Sequence, residues 1–364
     1  MKKVLNRKLA MSILAVILVC SLVACGSSGS TAEKPSSAAS DAATPAPNTS
    51  NDQVYTFKWA HSSSTNDRLA LATERMIKEL SEASNGRIVI EHYPASQLGA
   101  EREILEGVVL GTVDFGVISS GVVTNFSNSL YVASVPYQID EREIGWKVYD
   151  GDFGKMLGAQ TEKDVGWKFL GWAENSLRMF SNSKREIQVP DDMKGLKIRT
   201  QENDIHMRIV NDLGASATPV AFSELYTALQ QGTVDGQENG VALTYSMGFN
   251  EIVKYMTYLP HIYDPYIVVM SNDAWNSLPP DLQALVQEYA QKFCQYERDL
   301  NAQNDEEYLE TMKKETGLQV YTPTDAQKQL FVEATADVED MIREKVGDEL
   351  VDAYLNAVKE AKAQ

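Results

Sequence analysis

This chain of 364 residues lacks the marks of the common catalytic chemistries. It has no GxGxxG, GxxxxGK or GxSxG run and no HExxH or CxxC, so no dinucleotide, P-loop, serine-hydrolase, zincin or thiol-redox arrangement can be read from it. Its four histidines, His61, His92, His206 and His261, show no metal-ligand spacing. No metal, cofactor or enzymatic turnover is expected. Cysteine is scarce as well. Of the three, Cys20 lies in an apolar leader, Cys25 ends it, and Cys294 stands alone in a helical pattern as a small hydrophobe. No disulfide within the mature chain is expected, so stability must come from the core. Cationic residues are also few: 33 Lys and Arg against 51 Asp and Glu give a formal net charge of −18. Such a surface repels nucleic acid and anionic membrane. It repels anions too, so an anionic ligand needs its own local cation.

Long apolar runs are absent except at the N-terminus. Lys2, Lys3, Arg7 and Lys8 precede an apolar run from Leu9 to Ala24, which is short for a spanning helix. It ends in Leu22-Val23-Ala24-Cys25-Gly26, which resembles a bacterial lipobox whose Cys becomes the acylated N-terminus; an uncleaved anchor is the alternative. Residues 1–24 are expected to be a lipoprotein signal peptide and 25–53 a lipidated, flexible tether or modified stalk, because the latter are Ser, Ala, Thr, Pro, Asn and Gly with few large apolars. Either reading places the folded part outside the cytoplasmic membrane. Without the leader's cations the net charge is −22.

The remaining residues alternate between strand and helix patterns. Val54–Ala60, Arg87–Tyr93 and Val113–Ile118 read as strands, with helices over Leu69–Ala83 and Glu101–Leu110, an order that argues for a parallel, helix-covered sheet. Gly166–Trp172, Leu177–Ser181, Tyr255–Leu259 and Pro265–Ser271 read as four more strands. Pro279 and Pro280 open a helical pattern that runs to about Glu315, long enough either to lie across two domains as one helix or to form a kinked pair. Ala326–Lys345 and Glu349–Lys362 close the chain as helices. The echo of Gly111-Thr112-Val113-Asp114 in Gly232-Thr233-Val234-Asp235 points to two related halves.

The chain is organised around Lys194–Gly240. A β-prone run at Leu196–Thr200 carries Arg199, a helical pattern and a Gly214–Ala217 break follow, and a second helix spans about Ser223–Gln231. Ser223 is expected to cap that helix and Gly232 to take the left-handed position after it. A β-prone step then reaches Glu238 and Asn239. One Arg and one Asn thus arrive at strand ends, where open α/β sheets bind small ligands.

Several runs match one known family. Tyr93-Pro94 with Ser96-Gln97-Leu98-Gly99, Gly111–Asp114, Met193–Arg199, Ala221–Tyr226, Asp235–Asn239 and His261-Ile262 occur in the order found in solute receptors of TRAP (tripartite ATP-independent periplasmic) transporters, and the chain resembles that family over about Val54–Lys314. The resemblance implies an α/β fold of the type II periplasmic-binding-protein kind, with two α/β domains around a ligand cleft and a long helix spanning both. The expected division is 54–175 plus about 265–304 against 176–264 plus about 305–364.

By the same resemblance, Arg199 holds a ligand carboxylate as a bidentate pair. Arg178 is the second arginine, Asn239 faces the ligand and Phe222 forms an aromatic wall. Ser62, Glu101 and Ser119 line the first-domain side, and Glu238 orients the arginines. Sialic-acid-binding members carry Asn and Glu in place of Ser62 and Ser119, which argues against that ligand. Gly240 stands where the family has Pro and Ser176 where it has Gly, a change that lets Glu174 point into the cleft. The expected ligand is a small organic acid, a sugar acid such as a uronate ahead of a C4-dicarboxylate. A dicarboxylate wants a second cation, for which Arg102 and Arg68 are candidates. The expected partners are TRAP membrane subunits, with the receptor a monomer held to the membrane by its lipid. A receptor that presents its ligand to a sensor kinase and an extracytoplasmic enzyme are the alternatives.

Overall fold

The computed structural model describes residues 53–363; the leader, Cys20, Cys25 and nearly all of the expected tether lie outside the described residues. Along the chain run β1 (Tyr55–Ala60), α1 (Arg68–Ala83), β2 (Ile88–Tyr93), α2 (Glu101–Leu110), β3 (Phe115–Ser119), α3 (Ser120–Val123), α4 (Arg142–Asp150), α5 (Asp152–Val165) and β4 (Lys168–Asn182). Next come β5 (Lys197–Thr200), α6 (Asp204–Asp212), β6 (Ser216–Pro219), α7 (Leu225–Gln230), β7 (Gly236–Asn239), α8 (Val241–Ser246) and β8 (Tyr255–Met270). The chain closes with α9 (Asn272–Ser277), α10 (Pro280–Thr316), β9 (Gln319–Tyr321), α11 (Asp325–Ala334), α12 (Val338–Val346) and α13 (Asp348–Ala363).

The strands form one mixed sheet in the order β2-β1-β3-β8-β4-β7-β5-β6, with β9 beside β8. Pairing is parallel within β2-β1-β3 and within β7-β5-β6, and antiparallel where β8 and β4 join the two groups. Helices flank the sheet in the two-domain, type II-like arrangement. Trp59, Phe115, Tyr266 and Phe293 pack in a core beneath α1 and α10. A second, larger core gathers Ile198, Ile209, Leu225 and Phe249 with Phe331, Ile342 and Tyr354 of the closing helices.

The long pattern after Pro280 is a single α-helix of 37 residues, about 55 Å at 1.5 Å per residue. It touches α1 in one half and α8 in the other. The four strand patterns expected between 166 and 271 are two long strands instead. β4 continues through Glu174, Asn175 and Ser176, with a register irregularity between Glu174 and Ser176, and β8 continues through His261 and Asp264. Polar residues and proline in mid-strand read as breaks, but here they are buried and paired. The expected domain boundaries at 175/176 and 264/265 fall inside these strands, where Ser176 lies opposite Asp264.

Three local expectations need correction. Ser223 is exposed within a short 3-10 turn at Phe222–Glu224 and makes no capping bond. The Gly214–Ala217 break leads straight into β6, a small-residue edge strand beside β5. Ala326–Lys345 is two helices, separated where the Thr335 hydroxyl bonds back to the Phe331 carbonyl at 3.0 Å.

The sequence echo is a structural echo. Gly111 and Gly232 both take positive φ, +72° and +69°, just after their helices. Asp114 accepts from the Lys58 backbone N–H at 2.8 Å, and Asp235 accepts from that of Lys197 at 2.9 Å. In each half the aspartate ties the start of one strand to the neighbouring parallel strand.

Candidate ligand-binding site

A small cavity of about 20 Å3 lies between the two parallel strand groups, against the crossing strands β4 and β8. Its lining includes Glu101 at the start of α2, Arg199 on β5, Gln201 just beyond β5, Phe222 in the 3-10 turn and Asn239 at the end of β7. Asn175 and Tyr266, from the crossing strands β4 and β8, also line it. A space of this size takes about one water molecule, so a larger solute enters only if the walls part.

Arg199 is the central group. It is only 2 % exposed, and its Nε donates to the Val220 carbonyl at 2.8 Å. Its buried Nη1 has no hydrogen-bond partner, and among the described residues no carboxylate lies within 4.0 Å of the guanidinium. Burial, with repulsion from Arg178, lowers its pKa to about 10. The Phe222 ring centroid lies 6.0 Å from its guanidinium carbon. The site therefore holds a desolvated, partly unpaired fork against an aromatic wall, the arrangement that a carboxylate fits.

Arg178 is buried next to it and is fully engaged. Its Nε and Nη2 donate to the Glu238 carboxylate, Nη2 also to the Glu238 carbonyl, and Nη1 to Asp264 Oδ2 at 3.0 Å. Burial pushes Glu238 up, but Arg178 and the nearby His206 and His261 outweigh it and hold that carboxyl well below its usual range. His261 stacks on Phe180 at 4.2 Å between ring centroids. Arg178 and Glu238 do not line the cavity; they lie behind it, and the field of Arg178 reaches Arg199.

Glu101 accepts from Ser62 Oγ at 2.8 Å, and burial raises its pKa to about 7. Ser62 therefore acts on the cavity through Glu101. Ser119 donates to Asp264 Oδ2 at 2.7 Å and accepts from Gln201 Nε2 at 2.6 Å. Asn239 Nδ2 donates to Gln237 Oε1. Glu174 faces away from the cavity. Its carboxylate accepts from Trp146 Nε1 at 2.6 Å and from Asn301 on α10, with Arg142 at 3.4 Å. Both candidate second cations are occupied. Arg68 pairs with Glu297 at 2.8 Å and with Asp67, outside the cavity. Arg102 touches the cavity but is half exposed and pairs with Glu106 at 3.2 Å. His61 bonds His92 at 2.9 Å, and burial together with His92 lowers its pKa to about 3, a structural pairing away from the cavity.

The departures at 176 and 240 compensate one another. A Cβ on Gly240 would lie 2.4 Å from the Ser176 Cβ, so the absent side chain at 240 makes room for the one at 176. Sequence reasoning missed Asp264, Asn175 and Gln201. Asp264 accepts from Ser119, Ser120, Asn175, Arg178 and Gln201, and so joins β3, β4, β8 and the end of β5. Its Asp264-Pro265 pair reads as a turn, which hid it.

A buried, partly unpaired guanidinium at the strand ends of a two-domain α/β fold defines a binding receptor for small organic acids. The chain belongs to the bacterial extracellular solute-binding proteins, family 7, whose model matches residues 59–345. The resemblance to TRAP receptors therefore holds. A solute-binding protein of Verminephrobacter eiseniae is 38% identical over 226 residues, 62% of this chain and 67% of that one. The C4-dicarboxylate-binding periplasmic protein DctP of Rhodobacter capsulatus is 31% identical, over 78% of this chain and 85% of its own. The crystal structure of the sugar acid binding protein DctPAm from Advenella mimigardefordensis, in complex with galactonate, superposes with a TM-score of 0.82 at 25% identity, covering 85% of this chain and 99% of that one. Among the described residues no helix is long and apolar enough to cross a membrane.

Proposed function

We propose that this chain is a lipid-anchored, monomeric TRAP receptor that closes two α/β domains on one small organic acid, a sugar acid in preference to a C4-dicarboxylate, and passes it on without turnover. Arg199 carries the reading: it is a buried cation with no carboxylate of its own within 4.0 Å among the described residues. A ligand carboxylate supplies what the fold withholds. The preference for a sugar acid is supported by the engagement of Arg68 and Arg102 elsewhere, which leaves no second cation among the described residues for a second carboxylate in the cavity wall. Galactonate in the related Advenella protein agrees with it, whereas the Rhodobacter relative is a C4-dicarboxylate binder.

In this reading the domains are 54–175 with about 265–304 and 176–264 with about 305–364, hinged where β4 and β8 cross at Ser176 and Asp264. Because the cavity is so narrow, ligand entry requires that hinge to open. Small-angle scattering should show a smaller radius of gyration with saturating ligand than without, and identical curves would argue for a rigid pocket or for an empty protein that is already closed. For the anchor, mass spectrometry of membrane fractions should find acyl chains on Cys25, with Cys25→Ala released from the membrane. The carboxylate clamp is tested by a thermal-shift screen of uronates, aldonates, dicarboxylates and keto acids, followed by calorimetric titration of the hit. Arg199→Ala should weaken binding by about 30-fold to several-thousand-fold. A folded Arg199→Ala that binds within about threefold of wild type would end the assignment.

A further inference from the structure

We propose that the side-chain carbonyl oxygens of Asn175 and Gln201 accept hydrogen bonds from ligand hydroxyls, so that these two amides make the receptor select hydroxylated acids. The proposal rests on Arg199 as the partner of the ligand carboxylate. Both residues line the same cavity as Arg199, and they are 3 % and 5 % exposed.

Asp264 sets the orientation of both amides. A carboxylate only accepts, so the group facing it must be the NH2 end of each amide. Asn175 Nδ2 donates to Asp264 Oδ2 at 2.8 Å and Gln201 Nε2 donates to the same oxygen at 3.1 Å. Gln201 Nε2 also reaches Ser119 Oγ, whose own proton goes to Asp264, so Ser119 can only accept there. Arg178 neutralises Asp264 from behind. The carbonyl ends are left over: Asn175 Oδ1 and Gln201 Oε1 are buried with no hydrogen-bond partner. Asn175 is held further by its backbone carbonyl, which accepts from Arg68 Nη2. Gln201 packs against Gly121, where a Cβ would lie 1.8 Å from Oε1, so the close seat of this amide depends on that glycine.

Buried acceptors without donors are uncommon in folded proteins and call for an explanation. Here their residues share one cavity lining with Arg199, whose Nη1 is a buried donor without a partner. Glu101 adds a carboxyl to the same wall, held by Ser62. The complementary solute has one carboxylate for the guanidinium and hydroxyl donors for the amide oxygens. A second carboxylate would bring only acceptors to acceptors. A chain without hydroxyls would leave both amides unpaired, and sites built to bond a hydroxyl reject analogues lacking it by large factors.

The test uses the purified receptor and calorimetric titration with length-matched acids: erythronate and galactonate, butyrate and hexanoate, succinate and adipate. Wild type should bind a hydroxylated member at least about 100-fold more tightly than its deoxy and dicarboxylic counterparts. Asn175→Leu and Gln201→Met should each narrow the hydroxy-to-deoxy ratio by about tenfold, one good hydrogen bond, while affinity for the deoxy acid holds or rises. A purely structural role would lower both affinities together and leave the ratio unchanged. Two variants are used because each touches the Asp264 cluster; circular dichroism identifies the folded one. An unchanged ratio in a folded variant, or a wild type without preference for the hydroxylated acid, overturns the proposal. Arg199→Ala separates the two layers. Loss of all binding in Arg199→Ala with an unchanged ratio in the amide variants defeats the hydroxyl reading alone. Undiminished binding in Arg199→Ala defeats the clamp and this proposal with it.

Discussion

Arg178 and Arg199 are neighbouring buried guanidiniums on one sheet, and their surroundings are opposite. Arg178 has Glu238 and Asp264 around it, while Arg199 has a carbonyl, an aromatic ring and a narrow cavity. The nearby carboxyls diverge in the same way. Glu238, beside Arg178, is held well below its usual pKa, whereas Glu101, in the cavity wall, is raised to about 7 by burial. A buried charge that is fully paired serves the fold. One left short of a counter-charge, in the wall of a cavity, points to a group outside the chain that completes it.

The largest expected effect is on Arg178. Arg178→Ala leaves Glu238 and Asp264 buried without their cation and should lower unfolding free energy by about 3–5 kcal/mol in urea titrations. Denaturation at the wild-type midpoint would erase the distinction between the two arginines. Arg199→Met should act in the opposite direction without ligand, because it removes an unpaired buried charge. Its urea midpoint should match or exceed that of wild type, while its affinity for the acid falls by about 2–5 kcal/mol. A destabilised Arg199→Met would place that residue in the structural class.

Glu101 sharpens the contrast through pH. Its carboxyl ionises near 4.5 in the unfolded chain and near 7 in the folded one, so between these values the native state binds more protons. The stability it contributes is fully present below about pH 4.5 and disappears as pH rises through 7. Glu101→Gln should remove this decline, and the difference from wild type should change by up to about 3 kcal/mol across the window. Taking that difference cancels His61, which works in the opposite direction between pH 3 and 6.5. A difference independent of pH would place the Glu101 carboxyl in solvent contact. The smallest effect is at the join of the two regions. Gly240→Ala should lose about 1–3 kcal/mol against Ser176, and adding Ser176→Gly should restore most of it. Simple additivity of the two changes would refute the compensation.

Much of this was legible in advance. The strands β1–β3, helices α1 and α2 and the left-handed Gly232 follow from period, caps and glycine, which are local signals. Arg199, Asn239, Phe222 and Glu101 were singled out in the sequence, and the structure places them around one cavity. The sequence did not reveal the two crossing strands or what they carry. Glu174, Asn175, Ser176 and Asp264 are polar where an isolated strand would be apolar, and such runs normally mark loops. Glu174 was expected in the cleft from the Ser176 replacement alone, whereas Trp146 and Asn301 hold its carboxylate outside the cavity, contacts that depend on elements remote in sequence.

The sequence by itself determined the class of protein: alternating β and α patterns, a deficit of cations that makes any anion site depend on one local arginine, and a glycine-aspartate echo that builds the same strand tie twice. The tertiary structure decided which arginine is left without a carboxylate. Arg178 and Arg199 carry the same group on two strands of one sheet, and their immediate sequence neighbours do not show which one is paired. They differ because β7 brings Glu238, and the crossing of β4 and β8 brings Asp264, to Arg178 and not to Arg199, and the energy of a buried charge depends on its neighbours in space rather than in sequence.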